Sequence, residues 1–211
     1  MVSKIINLTR TVVPKISPKA KENIASINSM PEMVLDRMIK SGDKSIVHVD
    51  MNHCAAAMIT PEGVNTIYTD ALNGCNSVGI VAKLKNSNPL AILSHYVPTN
   101  TDGQVSALKK QLDTFDSSID KSYQPKLFFN IRGFSDYGKF EAVPNEIVDK
   151  VKSLISKFFP QGADTTITPY PTKGRSAFFS SANIFQFDPE DLTKLKITNV
   201  GEKEKFIDLK K

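Results

Sequence analysis

From residue 45 to residue 97 the chain runs through four strand-forming stretches with no helix-period segment between them. Residues 45–60 are rich in Ile, Val and Met and read as a strand or a bent strand pair. Pro61-Glu62-Gly63 is a turn, and 64–69, 76–84 and 90–97 follow as further strands, the last two joined by the polar loop 85–89. Parallel neighbours in one sheet need a long crossover, usually helical, so consecutive strands without helices exclude a strictly alternating parallel α/β fold.

Helical periodicity appears only outside this block. Val105, Leu108, Leu112, Phe115 and Ile119 recur at intervals of three and four behind the capping candidates Thr101 and Asp102. A second stripe spans 144–159, with Ile147, Val148, Val151, Leu154, Ile155 and Phe158 on its inner side and Pro160 as its stop. Residues 17–26 and 31–40 are expected as two early helices, the first with Ser17 as N-cap and the second ending at Gly42. Strands are expected at 126–132, 165–170 and 177–187, and Pro189 is expected to open a short last helix. The tail 194–211 fits a strand, a helix or a frayed end. The fold class that follows is α+β, a mixed sheet or sandwich flanked by helices. A chain of 211 residues makes this one domain, 1–211, whose first 30 residues form a loosely packed arm or an N-terminal helix.

Several functional classes fall away on composition. The longest apolar run, near residues 54–59, is far below the ~20 residues a bilayer-spanning helix needs. Two cysteines, Cys54 and Cys75, are too few for a disulfide framework. His48, His53 and His95 have no zinc-type spacing, there is no Walker A or GxGxxG element, and no metal or cofactor is expected. The net charge of +5 attracts acidic partners only weakly. No h-region follows the N-terminal lysines, so no classical signal peptide is expected, and the location expected is the cytoplasm or a host cell's cytosol after delivery.

Chemistry concentrates at Cys75. Gly74 precedes it and an apolar strand follows, so the sulfur sits at an element's start, where outward amide N–H groups favour a thiolate and can hold an oxyanion. His95 lies near the end of the next strand, within reach across the hairpin, and imidazole is the natural acceptor of the thiol proton. Such a base needs an orienting group, and Thr69, at the end of the preceding strand, can supply a hydroxyl or a carbonyl. His53 and Cys54 are adjacent in a strand and point to opposite faces, which leaves Cys54 as a buried, inert thiol. His48, between Val47 and Val49, reads as the polar side of an alternating strand.

The spelling Thr69-x5-Cys75 within Leu72-Asn73-Gly74-Cys75, followed by Ser94-His95-Tyr96-Val97-Pro98, resembles the cysteine glutamine deamidases. These are the relatives of the chemotaxis deamidase CheD and of the cytotoxic necrotizing factor toxins, with the Burkholderia lethal-factor type nearest in spelling. The likeness covers about residues 69–98. It implies α/β/β/α layers around a mixed β-sandwich. It also implies a Cys75 nucleophile, a His95 base and an orienting Thr69, with Asn73, Gly74 and Asn76 around the oxyanion. The activity implied is toxin-like deamidation of an exposed protein glutamine, with a DEAD-box translation-initiation helicase as the substrate class, by a monomer that needs neither nucleic acid nor a membrane. Position 73 is Asn where the toxin motif has Ser, and the Cys75-to-His95 spacing is longer, the extra residues falling in the 86–89 loop.

Three competing readings remain at this level. Transglutamination would use the same thioester with an amine in place of water. A papain-like cysteine hydrolase lacks its Cys-Gly-Ser-Cys-Trp signature, and the chain has no Trp. A basic binding module would use Lys173, Arg175 and the N-terminal lysines, but no aromatics interleave with those charges. Pro171-Thr-Lys-Gly-Arg-Ser176 reads more simply as a solvated hairpin loop, from which Lys173 and Arg175 could dock a substrate.

Overall fold

The structure, a computed structural model, describes residues 45–72, 74–136, 139–142, 146–171, 181–199 and 205–210. Eleven strands and two helices are formed there: β1 (Ile46–His48), β2 (His53–Met58), β3 (Thr66–Leu72), β4 (Asn76–Lys83), β5 (Pro89–Tyr96), α1 (Thr101–Phe115), β6 (Lys126–Asp136), β7 (Lys139–Ala142), α2 (Glu146–Phe158), β8 (Asp164–Pro171), β9 (Ser181–Phe187), β10 (Lys194–Asn199) and β11 (Lys205–Asp208). The strands make two sheets. One has the order β1-β3-β9-β10-β11; the other has β2-β5-β4-β6-β7, with β8 added parallel to β6. Both sheets mix parallel and antiparallel pairs, so the fold is α+β with a sheet-rich core. The bent strand pair expected at 45–60 does form, and its two strands enter different sheets.

Side-chain alternation divides the core. Even-numbered positions of β4 and β5, among them Val78, Ile80, Leu90 and Ile92, pack against Leu108, Leu112, Val151 and Ile155 of α1 and α2. Odd-numbered positions, including Val81, Ala91 and Leu93, face the other sheet, where Ile67, Phe185 and Leu195 meet them. Each fully buried Phe, Leu or Ile in these two cores contributes about 1.5–3 kcal/mol relative to exposure.

One contact fixes how the sheets stack. A Cβ built at Gly79 would lie 2.3 Å from Phe185 Cζ, so the ring of β9 rests directly on the bare backbone of β4. In register terms Gly79 neighbours Leu93, and Phe185 neighbours Ile67. Two residues further along, Ser77 lies beside His95 in one sheet and Asn183 beside Thr69 in the other. The stacking of Phe185 on Gly79 therefore brings Asn183 over Ser77 and Thr69 over His95.

Three differences from the sequence reading have physical causes. No helix opens at Pro189; the Asp188 and Asp191 side chains accept backbone N–H bonds from Glu190 and Thr193, turning the chain into β10. Asn100, not Thr101 or Asp102, is the N-cap of α1, and the Thr101 hydroxyl turns back to Pro98 O at 3.1 Å. Ile119 continues the apolar stripe but lies past the helix end, where it bridges to Leu84. The tail forms the strand pair β10–β11. The expected early helices and the arm lie outside the described residues, as do Asn73, Lys173 and Arg175.

Candidate functional site

Cys75 stands one residue before β4, and Ser77 of β4 pairs directly with His95 of β5. Alternation puts residue 75 on the same face as Ser77, diagonal to His95, a separation that side chains span. That face is turned toward the second sheet, because Asn183 Nδ2 donates to Ser77 Oγ at 3.0 Å. Gly74 adopts φ 91°, a left-handed angle that other residues resist, and a Cβ there would meet nothing within 4 Å. Glycine is needed for the bend, not for room.

Across the gap between the sheets, the Thr69 hydroxyl donates to the Val49 carbonyl at 2.7 Å and lies 2.8 Å from His95 Nδ1. A hydroxyl has one proton, and a carbonyl can only accept. With that proton on Val49 O, the hydroxyl must accept from His95, so Nδ1 carries hydrogen and Nε2 holds the lone pair. Nε2 is buried and makes no hydrogen bond. Just beyond Thr69 the β3–β9 register shifts, with Ala71 at φ 54°. Pairing resumes at Leu72, opposite Ser181, so the bulge resets the register just before Gly74 and Cys75.

Burial sets the protonation states. His95 is 3% exposed, and loss of solvation lowers its pKa to about 4; Asp70 and Asp50 pull it up and His48 pushes it down. The imidazole is neutral at neutral pH, as a proton acceptor must be. Cys75 is 6% exposed, in a small apolar cluster with Leu72 and Val97, and burial raises its pKa. The ionised resting thiol expected from the sequence is thus not what this environment favours; the pair rests as thiol and neutral imidazole.

Residues that the sequence reading did not assemble complete the rim. Met51, in the β1–β2 turn, has its Sδ 3.9 Å from the Cys75 sulfur. His53 pairs directly with His95 in the β2–β5 register, and its Nδ1 lies 2.9 Å from Met51 O. His48 Nε2 lies 3.2 Å from the Asp70 carboxylate, with the ring stacked on Tyr68. A period-two reading could have found Ser77 and His53. Nothing local marks Asn183, or a backbone carbonyl such as that of Val49.

Asn76 is buried, and its carbonyl accepts a 3.4 Å bond from Gln104 of α1, tying the start of β4 to the helical layer. Cys54 is buried on the helix-facing side, its thiol pushed far up by desolvation. Among the described residues no cluster of three or more His, Cys, Asp or Glu is arranged to hold a metal. Nor is any helix there long and apolar enough to cross a membrane. A cavity of about 510 Å³ beside β9, β10 and β11 includes neither Cys75 nor His95.

No protein-family model matches the chain, and no curated protein matches it. Among solved structures it is similar to the C-terminal domain of CNFy from Yersinia pseudotuberculosis, with 9% identity and a TM-score of 0.35. The similarity covers 77% of this chain and 61% of that one, so the chain spans under two thirds of that domain's length. A likeness this distant carries no argument about the site.

Proposed function

We propose that the chain is a cysteine-dependent protein-glutamine deamidase of the toxin type, with Cys75 as nucleophile, His95 as base and Thr69 as the orienting residue. One observation carries the reading: the Val49–Thr69–His95 relay dedicates Nε2 of a neutral imidazole to accepting a proton, on the sheet face that Cys75 shares.

The reaction adds water to a carboxamide and releases ammonia. The Cys75 thiol gives its proton to His95 Nε2 as sulfur bonds to the glutamine side-chain carbon, and the carbonyl oxygen becomes an oxyanion. Backbone N–H groups at the Gly74–Cys75 turn are the donors proposed to hold it, with Asn76 adjacent. The C–N bond then breaks as imidazolium returns the proton to nitrogen, leaving a thioester. Water attacks that thioester, giving a proton to Nε2 while its oxygen bonds to carbon; sulfur leaves and recovers the proton. The product is glutamate and a regenerated thiol. Because the resting thiol is neutral, proton transfer accompanies attack, and the base's correct tautomer matters at every step.

The substrate proposed is a folded protein presenting an exposed glutamine. The DEAD-box translation-initiation helicase implied by the motif likeness is the first to try. The test is mass spectrometry of a eukaryotic extract treated with the intact chain, Cys75→Ser and His95→Ala. A glutamine converted to glutamate only by the intact chain supports the reading. Conversion by Cys75→Ser, or none in extract and purified helicase alike, refutes it.

A further inference from the structure

Met51 is 53% exposed, one of few large apolar side chains that the described surface leaves open, yet its Sδ rests 3.9 Å from the thiol of a residue only 6% exposed. The backbone beneath it is tied down on both sides. Asn52 takes φ 63° and donates its N–H to His95 O at 2.6 Å; His53 N–H bonds Asp50 O at 3.1 Å; Val49 O takes the Thr69 hydroxyl at 2.7 Å. The Met51 main chain is therefore held in register with His95 and Thr69. Its side chain, unbranched and half in solvent, is the part that can move. A Cβ at Gly74, on the other side of the thiol, would meet nothing within 4 Å.

We infer that Met51 is a specificity-determining cover: its thioether closes the approach to the Cys75 sulfur, and on swinging aside it forms the apolar wall along the methylenes of the incoming glutamine side chain. This rests on the deamidase reading for the identity of the incoming group. The thiol lies beneath the rim that Met51 forms, so a carboxamide reaches it only on an unbranched stem long enough to pass the thioether. Glutamine has one methylene more than asparagine and fits that requirement better. The soft, flexible methionine suits a wall that must serve two positions, where a β-branched residue would hold one.

The probes are iodoacetamide and the bulkier N-ethylmaleimide, with adducts at Cys75 followed by peptide mass spectrometry in the full chain, Met51→Ala, Met51→Leu and His95→Ala. Met51 is on an exposed turn, and unchanged thermal melting of each variant confirms that the fold survives. Met51→Ala is expected to speed labelling of Cys75 by roughly three- to tenfold, more with N-ethylmaleimide than with iodoacetamide, because the uncovered state no longer competes with a covered one. Met51→Leu, which keeps the bulk, is expected to stay within about twofold of the parent. With a deamidated protein in hand, Met51→Ala should narrow the kcat/KM preference for glutamine over asparagine. Equal labelling rates in the parent and Met51→Ala overturn the cover. A labelling rate that Met51→Ala raises but His95→Ala leaves untouched overturns the deamidase reading and keeps the cover.

Discussion

Thr69→Val puts the relay to its most direct test. Valine matches threonine in shape, so the fully buried site keeps its packing and loses only a hydroxyl. Two hydrogen bonds disappear, and the Val49 carbonyl and the His95 Nδ1–H are both left buried without that partner. Each orphaned group costs about 1–3 kcal/mol, so a total destabilisation of about 2–4 kcal/mol is expected after the added methyl offsets part of the loss. The chemical effect is separate. Without an acceptor at Nδ1 the imidazole can move its proton to Nε2, and the nitrogen that should take the thiol proton becomes a donor. General-base help is worth about 10²–10⁴ in rate, and that is the factor at stake in turnover. Three readouts are needed: urea unfolding for the stability term, ¹⁵N chemical shifts of His95 for the tautomer, and iodoacetamide labelling of Cys75 at pH 7 for the base. Thr69→Ser should restore all three toward the parent, because serine keeps the hydroxyl. If Thr69→Val retains the Nδ1–H tautomer and labels Cys75 at the parental rate, the relay orients nothing and the reasoning fails.

The low pKa of His95 has a definite sign in acid. The unfolded chain binds a proton on this ring as pH falls through about 6.5, whereas the folded chain resists until about 4, so stability is complete above 6.5 and is lost between those values. A loss of about 3 kcal/mol from this group is expected between pH 7 and pH 4, measured as a falling urea midpoint; a flat midpoint over that range would contradict it. Gly79→Ala should strike the sheet stacking, since the new methyl would sit 2.3 Å from Phe185 Cζ and that ring is fully buried. Overpacking of about 1–3 kcal/mol lowers the melting temperature by roughly 2–12 °C in a chain of this size. A melting temperature unchanged by Gly79→Ala would show that the sheets do not depend on that contact.

Much of the fold was legible because alternation and helical spacing are local. β4 and β5 form within a residue of the stretches expected for them, and α2 buries the six apolar residues that its stripe singled out. Misreadings occurred where local cues compete. Pro189 is a good helix opener, but the neighbouring Asp188 and Asp191 offer turn hydrogen bonds that win. The 101–119 stripe outran its helix because Ile119 reaches the same core from a bridge to Leu84.

The site divides along the same line. The β4–β5 register, with Ser77 opposite His95 and Cys75 two residues before Ser77, was written in the chain, since a hairpin with a short loop makes neighbours of residues that flank it at matching distances. Which nitrogen of His95 carries hydrogen, and whether the thiol rests neutral, could only be decided in three dimensions. Thr69 reaches His95 from the other sheet, brought there by the packing of Phe185 on Gly79, and Met51 reaches Cys75 from a turn between sheets that is tied to His95 O through Asn52 N–H. Solvation is likewise a property of everything packed around a group, so the protonation of these two side chains belongs to the assembled sandwich and not to any segment of it.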